Sequence, residues 1–477
     1  MQPERAITEQ GAAQVFRAAV DLVGRLGLVT VLGAIATLAI TRLLGPTGYG
    51  TYASAIATAA LLGAAADLGF SLMLSRDAAG SPAAHRSMLR AAYEIAIAWA
   101  AVLTVILVAL AFTADVASDR GMVLLVLAPS MLFNGLNPAR TFMVIARRTR
   151  LLVLIDVCVI TIQVGVSVLV AAQGLGPVAV AVAVSAGSIV NNLIVSVAVA
   201  KVLEPGSRER FSRRVLLARA APLGVVSILT RVYLTIDLVL LGWLITGPRL
   251  GQYAAAAKVV TVLSAVSGAV MSGALPAMAV RVSDRRELER LIVRVWHWLV
   301  VVPLPVFVGL LLFAGPAVRL AFGARYAHAS ALLGILAGAG VVSVLSNLVG
   351  NLMVVFERNR ALVIQNSIAI VFNVAGNLIL VPQIGVVAAA WMTLATEVLV
   401  CTSAIVRLRG DLSLARLVTV SRRPVLALVV ASAVALVLLD TPVVAVCASA
   451  LSFLAVLSAL GAWPAEFRLP RWASSGA

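Results

Sequence analysis

Apolar runs of about twenty residues follow one another along almost the whole chain, from residue 23 to residue 462, with only short polar connectors between them. A helix needs about twenty predominantly apolar residues to cross the hydrocarbon core of a bilayer. The runs are rich in Ala, Val and Leu and lack the alternation of apolar and polar residues that is typical of a membrane β-strand. We therefore expect an all-α polytopic membrane protein, and the 62% hydrophobic content leaves no stretch for a soluble domain.

The runs define about fourteen transmembrane helices. They are predicted at residues 23–44, 49–73, 91–113, 121–146, 151–173, 177–200, 215–246, 251–280, 291–313, 329–356, 361–381, 384–406, 424–439 and 443–462. The longest connector then comprises residues 407–423, and an integral enzyme usually needs a larger extramembrane loop, so the pattern weighs against an enzyme. Residues 1–10 are polar and lack the pattern of a signal peptide, and we expect the first span to remain in the mature protein.

The positions of the 37 Lys and Arg residues predict the orientation of the chain. Three of them lie deep within spans, at Arg140, Arg231 and Lys258. The odd-numbered connectors hold five, and the two tails with the even-numbered connectors hold the remaining 29. Because cytoplasmic connectors carry the excess of Lys and Arg, both termini are expected in the cytoplasm, in the cytoplasmic membrane of a bacterium. The five arginines on the opposite side are Arg42, Arg120, Arg249, Arg319 and Arg325.

Several classes of site are not indicated by the sequence. The three cysteines lie in separate apolar runs, and the three histidines are isolated, so we expect neither a disulfide framework nor a metal site. The net charge of +17 stems from arginines placed between apolar spans, which favours membrane orientation over nucleic-acid binding. No GxxxxGK[ST] motif is present, so ATP is not expected as the energy source or as a cofactor.

Three pairs of segments predict an internal repeat. Residues 45–53 match 247–254, residues 148–153 match 358–363, and residues 175–179 match 384–388, always at equivalent helix ends. The spacing indicates two parallel six-helix lobes, an architecture of transporters whose site lies between the halves. The predicted organisation is a tail and interfacial helix at 1–22, lobes at 23–200 and 215–406, a cytoplasmic linker at 201–214, two additional helices at 407–462 and a cytoplasmic tail at 463–477.

Further motifs resemble those of a known family. Residues 42–53 read RLLGPTGYGTYA and are followed by ADLGF at 66–70, while IDLVL stands at 236–240 and GQYAAA at 251–256. The segment from Asn373 to Asn377, with VPQIG at 381–385, adds to the pattern. Together they resemble bacterial polysaccharide-biosynthesis flippases, in the superfamily that also holds the MATE drug antiporters and the lipid II flippases. The resemblance covers roughly residues 15–410 and implies a MATE-like fold and a lipid-linked oligosaccharide as substrate.

Charged residues within the spans are the first candidates for a functional site, because a charge at the bilayer centre is costly unless it faces a cavity or a partner. Arg231 lies midway along the seventh span and is the first candidate for a substrate contact, with Arg25, Arg140 and Lys258 in support. Asp67 and Asp237 are candidates for coupling or gating. Pairing of Asp67 with a basic residue of the cavity, and of Asp237 with Lys258, are the alternatives.

Asparagines form a polar stripe on the eleventh span. Asn366, Asn373 and Asn377 share one helical face, and Asn347 and Asn351 are four residues apart on the tenth span. Such amides bond neighbouring helices or line a hydrated cavity, and sugar hydroxyls would suit them in the second case. We therefore include Asn347, Asn373 and Asn377 among the candidate substrate-binding residues.

These observations favour a flippase that moves a polyprenyl-diphosphate-linked oligosaccharide across the cytoplasmic membrane by alternating access. Arginine suits this substrate because its planar fork binds phosphate through two parallel hydrogen bonds. The partners would be membrane lipid, the lipid-linked glycan and polysaccharide-assembly proteins, and coupling to Na⁺ or H⁺ stays open. The alternatives are a cation-coupled multidrug exporter of the MATE type, a lipid II-type flippase, and a membrane scaffold of a polysaccharide-assembly complex that does not itself transport.

Overall fold

A computed structural model describes residues 3–77, 85–203, 213–438 and 441–463. Side chains are described from residue 33 onward, except at positions 72, 75–77, 222, 223 and 226. Throughout these ranges the secondary structure is helical, and they contain no β-strand. The expected all-α class is confirmed.

Seventeen α-helices lie within the described residues. The first nine are α1 (Pro3–Ala66), α2 (Phe70–Asp77), α3 (His85–Thr113), α4 (Asp119–Phe133), α5 (Pro138–Ile145), α6 (Thr149–Ala172), α7 (Gly176–Val202), α8 (Arg213–Leu244) and α9 (Pro248–Val280). The others are α10 (Arg285–Val301), α11 (Pro303–Leu312), α12 (Ala314–Phe322), α13 (Ala329–Val355), α14 (Asn359–Ile384), α15 (Val386–Leu408), α16 (Leu414–Val437) and α17 (Pro442–Ala459).

The number of spans agrees with the prediction of about fourteen. Twelve segments from His85 onward are long and apolar enough to cross a membrane. The two arms of α1 supply the first and second spans, since α1 is kinked at Gly45, where φ is 67° and ψ is 176°. Gly45 tolerates this left-handed backbone because it has no Cβ, and Pro46 starts the second arm without an N–H group that would need a partner. We call residues 46–66 the second arm.

Two spans are interrupted at prolines. A 3₁₀ turn, Asn134–Leu136, separates α4 from α5, and Pro138 opens α5. Pro303 likewise opens α11 directly after α10 ends at Val301. Proline cannot donate the backbone hydrogen bond that would continue the preceding helix. Pro129 and Pro276, in contrast, lie inside continuous helices.

The thirteenth span differs from its predicted bounds. We expected it to begin near residue 424, after a connector at 407–423, but α16 already begins at Leu414. Arg416, Arg422 and Arg423 interrupt the apolar run in this region, although a helix continues readily through polar residues outside the hydrocarbon core. A short helix that was not expected, α12, also occupies part of the connector between the ninth and tenth spans.

The chain packs into two compact units. Unit 1 comprises residues 1–255 and 374–389, and unit 2 comprises residues 256–373 and 390–477. In unit 1 the fully buried side chains include Phe70, Leu107 and Phe142. Met271 and Phe307 belong to the buried core of unit 2. The lobe boundaries inferred from the internal repeat stay a prediction; by packing, α8 belongs to unit 1.

Candidate functional site

Helix α8 carries Arg231 and Asp237 and packs along α1 within unit 1. Glycines stand where the second arm and the short turn after it approach α8 and the start of α9. We call this contact the glycine seam, and we name its two ends the Gly45 end and the Gly69 end. The glycines of the seam are Gly50, Gly69, Gly224, Gly242 and Gly251.

At the Gly45 end the two backbones are in direct contact. A Cβ atom on Gly50 would lie 2.6 Å from the backbone nitrogen of Gly251, and a Cβ on Gly251 would overlap the carbonyl oxygen of Pro46. Real Cβ atoms essentially never approach other heavy atoms more closely than 3.0 Å. Small residues permit such close helix contacts in membranes, so this end of the seam depends on the absence of side chains.

The Gly69 end is built in the same way. Leu68 and Gly69 both have positive φ, at 49° and 81°, and turn the chain between α1 and α2. This turn lies against Gly224 of α8, where an added Cβ would stand 2.6 Å from the carbonyl oxygen of Leu68. The turn and α8 can therefore meet only because neither Gly69 nor Gly224 carries a side chain.

Arg231 lies between these two contact regions on α8. It is seven residues after Gly224 and eleven before Gly242, or about 10 Å and 16 Å along the axis at 1.5 Å per residue. The side chain is exposed, and among the described residues it forms no ion pair or hydrogen bond. Arg231 therefore stays the first candidate for a substrate contact.

Asp237 is engaged by neighbouring groups. One carboxylate oxygen accepts a hydrogen bond from the hydroxyl of Tyr253, and the other accepts one from the backbone nitrogen of Leu238 at 2.9 Å. Tyr253 is fully buried near the start of α9. The carboxylate therefore ties α8 to α9 through a charge-assisted hydrogen bond. The alternative pairing of Asp237 with Lys258 stays a prediction.

Asp67 lies at the Gly69 end, where its carboxylate contacts the first turn of α2. It accepts a hydrogen bond from the Ser71 hydroxyl at 2.6 Å and lies 3.3 Å from the Ser71 backbone nitrogen. A carboxylate at a helix N-terminus satisfies free N–H groups and interacts favourably with the helix dipole. Its observed contacts are thus those of a helix cap.

Arg140 and Asp156 form a bidentate ion pair between α5 and α6. The Nη1 and Nη2 atoms of Arg140 lie 3.0 Å and 2.9 Å from the two carboxylate oxygens. Asn191 of α7 donates a further hydrogen bond to Asp156 at 3.1 Å, and its own buried Oδ1 has no partner among the described residues. The charge of Arg140 is therefore balanced within the bundle. This polar cluster connects three helices of unit 1.

Asn192 extends the polar region to the 3₁₀ turn between α4 and α5. Its Nδ2 atom donates to the Oδ1 atom of Asn134 at 3.3 Å. Sequence reasoning did not single out Asn134, Asn191 or Asn192. Two adjacent asparagines in the otherwise apolar span of α7 are a signal that could have been used, since amides within a membrane need partners.

The Gly45 end also holds an arginine stacked on an aromatic ring. The guanidinium carbon of Arg120 lies 4.1 Å from the ring centre of Trp243, within the range of a cation–π interaction. The Nε and Nη2 atoms of Arg120 are buried and have no hydrogen-bond partner among the described residues. Each buried donor left in this way costs about 1–3 kcal/mol. Neither Arg120 nor Trp243 was predicted as a site residue, because their contact joins distant spans.

Two of the three predicted polar residues of unit 2 form hydrogen bonds with other side chains, and the third is exposed. Asn373 is buried in α14 and donates to Thr396 of α15 at 3.3 Å. Asn347 accepts a hydrogen bond at 3.0 Å from Asn351, one turn further along α13. Lys258 is exposed. The bond between Asn373 and Thr396 is of the kind that holds membrane helices together.

Unit 2 also contains an apolar groove of about 880 Å³ between α11, α12, α16 and α17. Its lining includes Phe313, Leu428, Val446 and Phe453, and the polar groups are few. Arg319, which is exposed at the end of α12, also lines the groove. The groove therefore offers an apolar surface with one cationic side chain in its lining.

Unit 1 contains six of the nine predicted site residues, and three belong to unit 2. Those of unit 1 are Arg25, Asp67, Arg140, Arg231, Asp237 and the fully buried Asn377. Lys258, Asn347 and Asn373 belong to unit 2. The side chain of Arg25 lies outside the described ones. The assignment of these residues to a substrate or a coupling ion stays a proposal.

Residues 39–331 of the chain match a protein family described as polysaccharide biosynthesis protein. No curated protein matches the chain at a significant level. Among solved structures, the lipid II flippase MurJ in an inward closed conformation is similar, with a TM-score of 0.71 and 14% sequence identity. The similarity covers 94% of this chain and 98% of that protein.

Multidrug transporters share the architecture as well. An inward-facing multidrug resistance MATE family transporter of the MOP superfamily has a TM-score of 0.60 and 14% identity, covering 82% of this chain and 97% of that chain. For an outward-facing transporter of the same description the TM-score is 0.56, the identity 14%, and the coverage 83% and 96%. At these identities the likeness shows the fold, which is the MATE-like fold expected from the sequence.

Proposed function

The chain belongs to the polysaccharide biosynthesis protein family, and from this premise we propose that it is a flippase for a lipid-linked oligosaccharide. The substrate is a glycan carried on a polyprenyl diphosphate, which moves from the inner to the outer leaflet by alternating access. The proposal assigns a transport role to the chain and no catalytic residue.

The observation that carries the proposal is the position of Arg231. It stands in the middle of a span, exposed, and without a partner among the described residues. A charge in such a position is expensive unless it faces a cavity or a partner, and a ligand bound in a cavity would supply that partner. A guanidinium matches a diphosphate because its parallel N–H groups bind two oxygens at once. Arg25, Arg140 and Lys258 remain supporting candidates, although Arg140 is held by Asp156.

The apolar groove of unit 2 supports the lipid part of the substrate. A polyprenyl chain stays in an apolar environment throughout transport, and a groove lined by residues such as Leu428 and Phe453 provides one. Asn347, Asn373 and Asn377 are the proposed contacts of the sugar hydroxyls.

The proposed location is the cytoplasmic membrane of a bacterium, with both termini in the cytoplasm. The excess of Lys and Arg on the tails and the even-numbered connectors supports this orientation. The Gly45 end of the seam then faces outward, and the Gly69 end faces the cytoplasm. Enzymes and other proteins of polysaccharide assembly are the expected partners on either side.

Transport in proteoliposomes tests the proposal. The protein would be reconstituted with a fluorescent polyprenyl-diphosphate glycan, and the fraction accessible in the outer leaflet would be followed over time. We expect flipping by the wild type and at least a tenfold slower rate for Arg231→Ala. Arg231→Lys should be intermediate because it keeps the charge but loses the fork. Arg214→Ala, on the same helix, is the matched control and should keep the wild-type rate.

Two outcomes would overturn the proposal. Wild-type protein that does not flip the glycolipid, but exchanges a fluorescent organic cation for Na⁺ or H⁺, would indicate a multidrug exporter of the MATE type. Flipping by Arg231→Ala at the wild-type rate would remove Arg231 from the mechanism.

A further inference from the structure

Arg120 is placed unusually for an arginine near a helix end. It lies in the first turn of α4, after the N-cap Ser118, where a positive charge is opposed by the helix dipole. Asp115 and Asp119 flank it in sequence, but neither forms an ion pair with Arg120 among the described residues. Its side chain is instead stacked on Trp243 of α8. The local sequence therefore offers two carboxylates that the arginine does not use.

The free edge of this guanidinium is the one that recognises oxyanions. The Nε and Nη2 atoms carry parallel N–H groups, which bind two oxygens of a phosphate or carboxylate side by side. Both atoms are buried and lack an acceptor among the described residues. Stacking on Trp243 covers the face of the guanidinium, while this edge is buried without an acceptor in the described part of the chain.

The edge lies within the glycine seam. The position of a Cβ on Gly242 would be 3.0 Å from Nη2 of Arg120 and 2.6 Å from Cβ of Ser54. Glycine at position 242 thus leaves the space in which the guanidinium lies between the second arm and α8. When the two helices separate at the Gly45 end, the same edge becomes accessible.

We infer that Arg120 and Trp243 form a second oxyanion site, which binds a phosphoryl group when the seam opens at the Gly45 end. The identity of that group as the diphosphate of a lipid carrier rests on the proposed function. Arg231 then contacts the diphosphate within the membrane, and Arg120 receives it at the outer end. Trp243 orients the guanidinium, and Gly242 provides the room for it.

Binding measurements test the site without relying on transport. Purified protein in nanodiscs of phosphatidylcholine would be titrated with inorganic pyrophosphate and, separately, with polyprenyl diphosphate. The measurements are made in the Arg231→Ala background, so that the first site does not contribute. We expect Arg120→Ala to weaken binding of both ligands at least tenfold. Arg120→Lys should weaken it nearly as much, because recognition at this edge depends on the two parallel N–H groups, which lysine lacks.

Two further variants separate the site from general effects of charge or folding. Arg249→Ala removes another arginine of the Gly45 end and should change the affinity less than twofold. Trp243→Phe keeps an aromatic ring and should retain most of the binding, whereas Trp243→Ala should weaken it several-fold. Unchanged affinity in Arg120→Ala, or equal losses in Arg120→Ala and Arg249→Ala, would overturn the inference. Should Arg120→Ala fail to fold, Arg120→Lys decides by the same criterion.

A competition experiment identifies the anion that the site binds. Adding phosphatidylglycerol to the nanodiscs should compete weakly with polyprenyl diphosphate at this site. If phosphatidylglycerol displaces all of the bound polyprenyl diphosphate, the site binds lipid headgroups. That result would overturn the substrate role. In proteoliposomes, slow flipping by Arg120→Ala beside normal flipping by Arg249→Ala supports the inference. A wild type that fails to flip refutes the proposed function instead, while the pyrophosphate titration still decides whether the site exists.

Discussion

Gly50 of α1 and Gly251 of α9 are so close that a Cβ atom on Gly50 would stand 2.6 Å from the backbone nitrogen of Gly251. The contact exists only because both positions lack a side chain. Since Gly69 and Gly224 make an equivalent contact at the opposite end, the seam is closed at both ends in this structure. Alternating access requires that each end opens in turn.

Gly251→Ala should prevent closure at the Gly45 end. The added methyl group would overlap the carbonyl oxygen of Pro46, and overpacking of this kind costs about 1–3 kcal/mol. We expect a lower melting temperature and faster maleimide labelling of a cysteine placed at Ser54, which is buried in the seam. The measurement uses a background in which Cys158, Cys401 and Cys447 are replaced.

The matched control is Gly268→Ala in the same helix, where nothing lies within 4 Å of the added methyl group. It should leave the labelling unchanged and stabilise the helix slightly, because alanine is the better helix former. Equal labelling of Ser54→Cys in both variants would contradict a closed contact at Gly251.

Gly224→Ala should have the complementary effect at the Gly69 end. Its methyl group would lie 2.6 Å from the carbonyl oxygen of Leu68, so the turn after the second arm would be pushed away. A cysteine at the buried position Ala220 should then react faster with a maleimide, while a cysteine at Ser54 keeps its rate. Labelling that increases at both positions would indicate general loosening and count against two independent contacts.

Breaking the ion pair between Arg140 and Asp156 should lower the stability of unit 1. The effect is measured on the protein alone, in the absence of substrate. Asp156→Ala leaves Arg140 and Asn191 without their acceptor, at a cost of about 1–3 kcal/mol or slightly more for the charged partner. Replacing both by methionine should recover part of the loss, since removing a partly buried pair together is less costly than removing one member. Melting temperatures of Asp156→Met, Arg140→Met and the double methionine variant test this. Additive losses would show that the pair is not coupled.

The two coupling candidates, Asp237 and Asp67, are expected to differ. Asp237→Asn should abolish the dependence of transport on a Na⁺ or H⁺ gradient. The amide of asparagine lacks the negative charge with which the carboxylate on α8 would bind the coupling ion. Asp67→Asn should keep that dependence and lower stability by about 1 kcal/mol or less, since asparagine still caps a helix. Transport rates measured with and without each gradient distinguish the two. Loss of gradient dependence in Asp67→Asn alone would reverse the assignment.

Hydropathy was sufficient to predict the class of fold and the number of spans. The bilayer demands about twenty apolar residues per helix, and this demand is visible along the sequence without any knowledge of tertiary contacts. Bounds were less predictable where charge stands at a helix end. Arg416, Arg422 and Arg423 looked like a connector, but α16 includes them because its backbone hydrogen bonds do not depend on apolar side chains.

Partners between helices were harder to predict than the helices themselves. Glu94 forms an ion pair with Arg213 of α8, although Arg90 stands only four residues before it in the sequence. The spacing within one helix does not reveal a cation that a neighbouring helix supplies. The glycine seam and the stacking of Arg120 on Trp243 join residues over a hundred positions apart. Such contacts cannot be predicted from the spacing of residues within one helix.

The kink at Gly45 leaves almost no connecting loop between the two arms of α1, since a single residue departs from helical geometry there. Because no flexible loop separates the arms, we expect a tilt of the first span to be passed to the second. A movement of the first span would then also strain the contact between Gly50 and Gly251.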